Sequence, residues 1–161
     1  MKISPITSSD WHQIEHIQHL AYGDDYCESM AVLTTKIAIS PQTCFVCLDD
    51  EHHVVGYLIS HPCDKTTLPQ LNQASQHMDS THLHLHDLAI TPASQGQGLP
   101  YLLINHLFMV LKIMNYQSVS LISVQNSTSF WNKFNFIIDE SLHVPACYGS
   151  NAIGMSRLLS T

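Results

Sequence analysis

The segment LHLHDLAITPASQGQGLPYLL, residues 83–103, holds three kinds of chemistry in one short run. His82, His84 and His86 alternate, Asp87 follows directly, and Gly96-Gln97-Gly98 stands before an apolar stretch. On an extended chain alternate side chains share a face, so the three imidazoles would lie side by side, where zinc accepts such ligands. Glycines in front of a helix let the main chain approach an anion closely. The helix start adds spare N–H donors and partial positive charge. Asp87 in an apolar strand is costly to bury unless something satisfies it. With His86 it forms a candidate pair of bases.

The residues themselves weaken two of these readings. A metal site needs a further ligand from elsewhere, and no HExxH or Cys/His motif supplies one, so no metal ligand is assigned. A dinucleotide loop needs GxGxxG, but Leu99, Pro100 and Tyr101 follow Gly98 without a third glycine. The phosphate loop GxxxxGK[ST] is absent as well. What remains is a cradle of main-chain amides at the mouth of a helix.

The elements that would position these groups follow from periodicity. MKISPI reads as a strand, and Asp10 with Gln13 reads as the capping box of a helix carrying Ile14, Ile17 and Leu20. Gly23 breaks it. A second helix is expected from Glu28 to Ile39, stopped by Ser40-Pro41. Thr43–Asp49 and Val54–His61 read as a hairpin, and 62–80 as a polar loop with one helical turn. A fourth strand covers His82 to Ile90 and ends before Pro92. The apolar stripe Leu103, Leu107, Leu111 marks a mostly buried helix from Leu99 to Met114, with Asn115 as a left-handed cap. Val119–Val124, a short helix Ser127–Phe134, and strands Phe136–Ile138 and Ala152–Leu159 complete the order. The whole is one α/β (α+β) domain over 1–161, with a mixed, mostly antiparallel sheet of about six to seven strands and about four helices.

Composition narrows the partners. Six Lys and Arg against thirteen Asp and Glu give −7, and no basic stripe is visible, which argues against nucleic acid and, weakly, for a cationic or amine-bearing substrate. Twelve histidines would change charge near pH 6–7. No apolar run is long enough to span a bilayer, and MKISPITSSDW lacks the apolar core of a secretory signal, so the expected location is cytoplasmic. The five cysteines are odd in number, and Cys44 and Cys47 stand three apart in a strand, on opposite faces, as buried free thiols. A homodimer is left open.

Gln95-Gly96-Gln97-Gly98-Leu99-Pro100 follows a strand and a proline-containing turn. Downstream, Val124-Gln125-Asn126 leads into Phe130-Trp131-Asn132-Lys133-Phe134-Asn135-Phe136. In these motifs and in element order, over nearly all of its length, the chain resembles the GNAT superfamily of N-acetyltransferases. Their signature is (Gln/Arg)-x-x-Gly-x-(Gly/Ala). Three positions depart from the pattern. Pro100 stands where the family has Gly or Ala and deletes one donor. Gln95 replaces a charge-bearing Arg. Trp131 stands where many members have Tyr, and an indole N–H cannot protonate a departing thiolate.

The resemblance implies acetyl-CoA as cosubstrate and a primary amine, on a small molecule or a peptide, as acceptor, joined by direct attack in a ternary complex. It implies that the fourth and fifth strands splay, with Leu88, Ala89 and Ile90 pairing to the pantetheine arm. Gln95, Gly96, Gln97, Gly98, Leu99, Pro100 and Tyr101 would hold the diphosphate. Asn126 would bond the pantetheine, flanked by Phe130 and Trp131. Asp87 and His86 are the candidate bases, Tyr148 the candidate acid in place of the missing Tyr, and Glu28 a wall of the acceptor pocket. The alternatives are a non-catalytic acyl-CoA-binding module and a metal hydrolase built on the histidine strand.

Overall fold

The computed structural model describes residues 1–159. Strand β1 (Lys2–Pro5) leads into a 3-10 turn at Ser8–Asp10 and then helix α1 (Trp11–Tyr22). The box that opens this segment belongs to Thr7, whose N–H donates to the Asp10 carboxylate at 2.7 Å. Gln13 does not close a box with Asp10, because its oxygen is spent on the Val54 N–H at 2.9 Å, tying α1 to the sheet. Gly23, at φ 59°, ends the helix in a conformation that costs other residues strain. Helix α2 (Met30–Ile39) starts two residues later than expected because Ser29 is its cap, accepting from the Val32 N–H. Glu28 is therefore outside the helix.

Strands β2 (Phe45–Leu48) and β3 (Val54–Pro62) form the expected hairpin. Cys44 packs with Ile14, Ile17 and Leu33 on one side of the sheet, Cys47 with Leu58 and Leu103 on the other, and both thiols are free. The loop after β3 carries no helical turn; its backbone is tied down by side chains instead. Strand β4 (His82–Ile90) follows, then α3 (Leu99–Ile113), β5 (Ser118–Ser123), α4 (Thr128–Asn132), β6 (Ile137–Ile138) and β7 (Ile153–Leu158). Asn115 takes the left-handed cap at φ 58°.

The seven strands lie in the order β1-β2-β3-β4-β5-β7-β6. Every described pairing is antiparallel except β4 with β5. Helices α1 and α2 cover one face through Ile14, Ile17, Leu33 and Ile37, and α3 covers the other through Leu99, Leu103, Leu107 and Leu111. No helix among the described residues is long and apolar enough to cross a membrane.

Two irregularities of β4 create the site. It pairs with β5 only through His82–His84 against Ser118–Ser120; past that point β5 continues along β7, and the edge of β4 from Leu85 to Ile90 is left without a strand neighbour on that side. Against β3, the register shifts so that Ile59 faces Asp87 while Ser60 faces Leu85. His86 is the extra residue of a β-bulge. Leu83 and Leu85 face α3, and so do Leu88 and Ile90, while Ala89 packs under α1. Strict alternation would have put Asp87 among the leucines under α3. The bulge turns it, together with His86, toward α1.

Candidate active site

A cavity of about 450 Å³ opens where β4 and β5 part. Its floor is the free edge of β4 from Leu85 to Ile90, and its far wall is Leu121, Ile122 and Val124. Tyr22, from the end of α1, Tyr26, from the turn after it, and Leu71 and Tyr148, from two further loops, close one end. Gln95, Pro100, Phe130 and Trp131 line the other end.

Asp87 lies under α1, with two phenols on its carboxyl. Tyr57 donates to Oδ2 at 2.6 Å, and the Tyr22 hydroxyl donates to Oδ1 at 2.9 Å while also reaching the Leu88 carbonyl at 2.8 Å. Burial raises the Asp87 carboxyl to about 6, against the pull of Tyr57, His86 and Tyr22. Both phenols are themselves pushed up, first by burial and then by the Asp87 charge. Tyr57 is fully buried; Tyr22 lines the cavity. Neither phenol stands out from the sequence, because each is an ordinary aromatic on an apolar element.

His86 and Glu28 form a second buried pair, Nε2 to Oε2 at 2.5 Å. The imidazole is 1% exposed, so the part of His86 that lines the cavity is its bulged main chain. The other Glu28 oxygen accepts from the Asn72 N–H at 2.7 Å. Burial pushes the Glu28 carboxyl up, but His86, the Asn72 amide and Lys36 outweigh it, and the group ends below its ordinary value. Glu28 is thus a clasp between the bulge and the 62–80 loop as well as a pocket residue. Lys36 fastens the same loop from α2, donating to the Gln73 carbonyl and to Ser75 Oγ.

The remaining imidazoles of this face are structural. His82 bonds Ser118 and Ser120, and His84 bonds Ser120. Burial lowers His61 to about 3 and His82 to about 4, and holds His84 well below the ordinary value. The expectation that the histidines as a group change charge near pH 6–7 fails for these three, since desolvation keeps them neutral there. His82, His84 and His86 do share a face, but no group of three or more His, Cys, Asp or Glu among the described residues is arranged to hold a metal ion.

The turn before α3 has the expected form. Gly96 and Gly98 take φ of 78° and 76°, with Gly98 at the helix cap and Pro100 in its first turn. Among the described residues the N–H groups of Gly96, Gln97, Gly98, Leu99 and Tyr101 have no partner, whereas that of Gln95 is engaged with the Pro92 carbonyl. The Leu99 side chain is core, and Gln97 turns outward to the Ala93 carbonyl. These residues offer main chain rather than side chains. In the aromatic run Phe130, Trp131 and Phe134 pack edge to face or tilted against one another. The Trp131 N–H is spent on Ser127 Oγ at 3.2 Å.

Asn126 and Tyr148 occupy different surroundings. Asn126 is exposed and stands outside the cavity lining, which runs through Gln125 and Ser127, because Gln125 and Asn126 are both left-handed and the chain turns there. Tyr148 does line the cavity, but its hydroxyl reaches only the Pro69 carbonyl, at 3.5 Å, and burial pushes its phenol far up.

The model of the acetyltransferase (GNAT) family matches residues 11–136. No curated protein matches the chain. Among solved structures, an Ard1 protein from Thermoplasma volcanium superimposes with a TM-score of 0.79 at 17% identity, over 99% of this chain and 98% of the other. The GNAT-like decarboxylase GphF, in complex with isobutyryl-CoA, gives 0.78 at 13% identity, over 99% and 100%. A phosphinothricin acetyltransferase from Sinorhizobium meliloti, in complex with AcCoA, gives 0.70 at 14% identity, over 99% and 88%. At such identities the likeness concerns the fold, which a decarboxylase shares with acetyltransferases.

Proposed function

The chain belongs to the GNAT acetyltransferase family, and on that premise we propose that it transfers an acetyl group from acetyl-CoA to a primary amine by direct attack in a ternary complex. One observation carries the reading. The free edge of β4 and the buried Asp87 line one cavity, and that cavity reaches Gln95 and Pro100, beside the unengaged amides at 96–99 and 101. The amides suit a diphosphate without needing Lys or Arg. The open edge at Leu88–Ile90 suits the amides of a pantetheine arm, and an N–H of that edge suits the oxygen of a polarised thioester carbonyl. Phe130 and Trp131 would flank the arm. Asp87 is the base, and His86 holds the bulge that presents it. We assign Tyr148 a hydrogen bond to the departing sulfur rather than proton transfer, since its hydroxyl has only the Pro69 carbonyl as partner and no group that would resupply its proton.

The end closed by Tyr22 and Tyr148, taken as the acceptor end, has no Lys or Arg in its lining and has Glu28 and Asp87 close by. An ammonium or amine is favoured there, and a carboxylate beside the reacting nitrogen is not. The test is thiol release from acetyl-CoA across a panel of simple amines and peptides, with the acetylated product identified by mass. A second reading, a non-catalytic acyl-CoA-binding module, is favoured by the Trp131 N–H being consumed by Ser127 where many members have a phenol. Stabilisation by CoA with no turnover on any amine would select it.

A further inference from the structure

Asp87, His86 and Glu28 line the cavity, but their side-chain polar groups are held by partners within the protein. Glu28 has both oxygens occupied, the His86 ring is buried, and Asp87 is 7% exposed with a phenol on each oxygen. Buried in this way, these side chains present almost no surface to an acceptor nitrogen. Of the two phenols on Asp87, Tyr22 alone also lines the cavity.

Its hydrogen bonds are the second observation. The Tyr22 hydroxyl has one proton and lies within bonding distance of two acceptors, Asp87 Oδ1 at 2.9 Å and the Leu88 carbonyl at 2.8 Å. With Asp87 ionised, one of them goes without. With a proton on Asp87, both are served: the carboxyl O–H donates to the Tyr22 oxygen, the Tyr22 O–H donates to Leu88, and Tyr57 still donates to Oδ2. The geometry is that of a hydroxyl built to pass a proton.

We propose that the Tyr22 hydroxyl is a catalytic group that carries the acceptor's proton to Asp87, an inference that rests on the acetyltransferase reading. The acceptor ammonium gives a proton to the Tyr22 oxygen as the Tyr22 proton passes to Asp87 Oδ1. The nitrogen, now with a free lone pair, forms the C–N bond to the thioester carbonyl, and the C–S bond breaks. The second nitrogen proton goes to the sulfur. Asp87 returns the first to solvent through Tyr22, so that amide, free thiol and one proton leave.

The titratable groups around Asp87 are Tyr22 and Cys27 from α1 and its following loop, Tyr57 from β3, His86 on its own strand, Glu28 before α2, and Tyr148. The test begins with wild-type enzyme and an amine that it acetylates; absence of any turnover would count against the family activity, not against this step. Tyr22→Phe should lower kcat about 100-fold with KM for acetyl-CoA within about twofold, and should erase the acid limb of kcat near pH 6. Tyr57→Phe removes the other phenol from Asp87 without touching the cavity; it should keep an acid limb, moved upward because the pull of Tyr57 on the carboxyl is lost, and should cost kcat above that limb far less than Tyr22→Phe does. Equal losses in the two variants, or an intact acid limb in Tyr22→Phe, would overturn the proposal. If Tyr22→Phe does not fold, 3-fluorotyrosine at position 22 keeps the shape and makes the phenol more acidic; unchanged kcat and pH profile would then overturn it.

Discussion

The two halves of β4 place polar side chains on the same face of the same strand, yet they behave differently. Before the bulge, His82 and His84 stand where β5 is paired, and three hydrogen bonds to Ser118 and Ser120 hold their rings. After it, Asp87 stands where β5 has turned away, and its partners are phenols, one of which lines the cavity. Burial acts on both halves with the same sense, against the charged form. It holds the imidazoles neutral, with their values pushed well below the ordinary one, and brings the carboxyl up to about 6. On the proposed function, a buried polar group of β4 is structural where the adjoining strand closes the edge and chemical where it does not.

The sharpest way to break this contrast is Asp87→Asn. The amide keeps the shape and can still accept from a tyrosine, but it cannot take a proton. Turnover at neutral pH should fall about 100-fold, with CoA affinity nearly unchanged, as steady-state rates and calorimetric titration would read. A wild-type rate would move the chemistry elsewhere and leave Asp87 as buried as His84 is, for packing only. Gly98→Ala probes the other end of the open edge. A Cβ there meets nothing within 4 Å, so the whole penalty is the left-handed backbone at φ 76°. If that costs about 1 kcal/mol on the amide cradle, CoA affinity drops about fivefold; affinity held at the wild-type value would show that the amides do not bind the diphosphate.

Much of this was open to reading in the sequence, for a physical reason. Helix α3 and its glycine turn announce themselves because periodicity, φ-demanding residues and the apolar stripe are local properties. The element order and the splayed pair of strands could be expected from the same signals joined to the family resemblance. What the sequence conceals is non-local. The bulge at His86 cannot be seen in HLHLHDLAI, whose alternation reads straight through it, so the side of the sheet on which Asp87 falls is fixed only by β3. Tyr22 and Tyr57 lie far from Asp87 along the chain, and nothing in their neighbours marks them. Glu28 reads as the first residue of a helix, and only the capping of Val32 by Ser29 puts it outside.

The paired half of β4 gives a stability prediction rather than a kinetic one. His61, His82 and His84 are bases whose folded values lie below the ordinary 6.5, at about 3, about 4 and well below. The unfolded chain protonates first, so their contribution is whole above 6.5 and is lost as pH falls toward the folded values. Asp87 has the opposite sign: raised from 3.8 to about 6, it favours the folded state at low pH and loses that advantage as pH rises through 6. Three bases outweigh one acid, and the melting temperature should fall between pH 7 and pH 5 by on the order of 10 °C. His84→Gln keeps a polar partner for Ser120 without titrating, and should recover about 3 °C of that drop. A melting curve insensitive to pH would show that these rings take up protons without unfolding.

The smallest effect is expected at Asn126, which tests how far the open half extends. Consecutive left-handed residues, Gln125 at φ 53° and Asn126 at φ 56°, turn the chain out of β5. Asparagine is among the few residues that adopt this conformation cheaply, which accounts for its presence without any ligand. Gln125, not Asn126, lines the cavity, and its amide reaches the Ala21 carbonyl at 3.5 Å. Asn126→Ala should therefore cost about 1 kcal/mol of stability through backbone strain while CoA affinity changes by less than about twofold. Gln125→Ala should show the reverse ordering, with the affinity loss the larger. If instead Asn126→Ala weakens CoA binding strongly at unchanged stability, the side chain reaches the pantetheine after all, and the open half of β4 is closed by ligand contacts from β5's end that the turn was argued to withdraw.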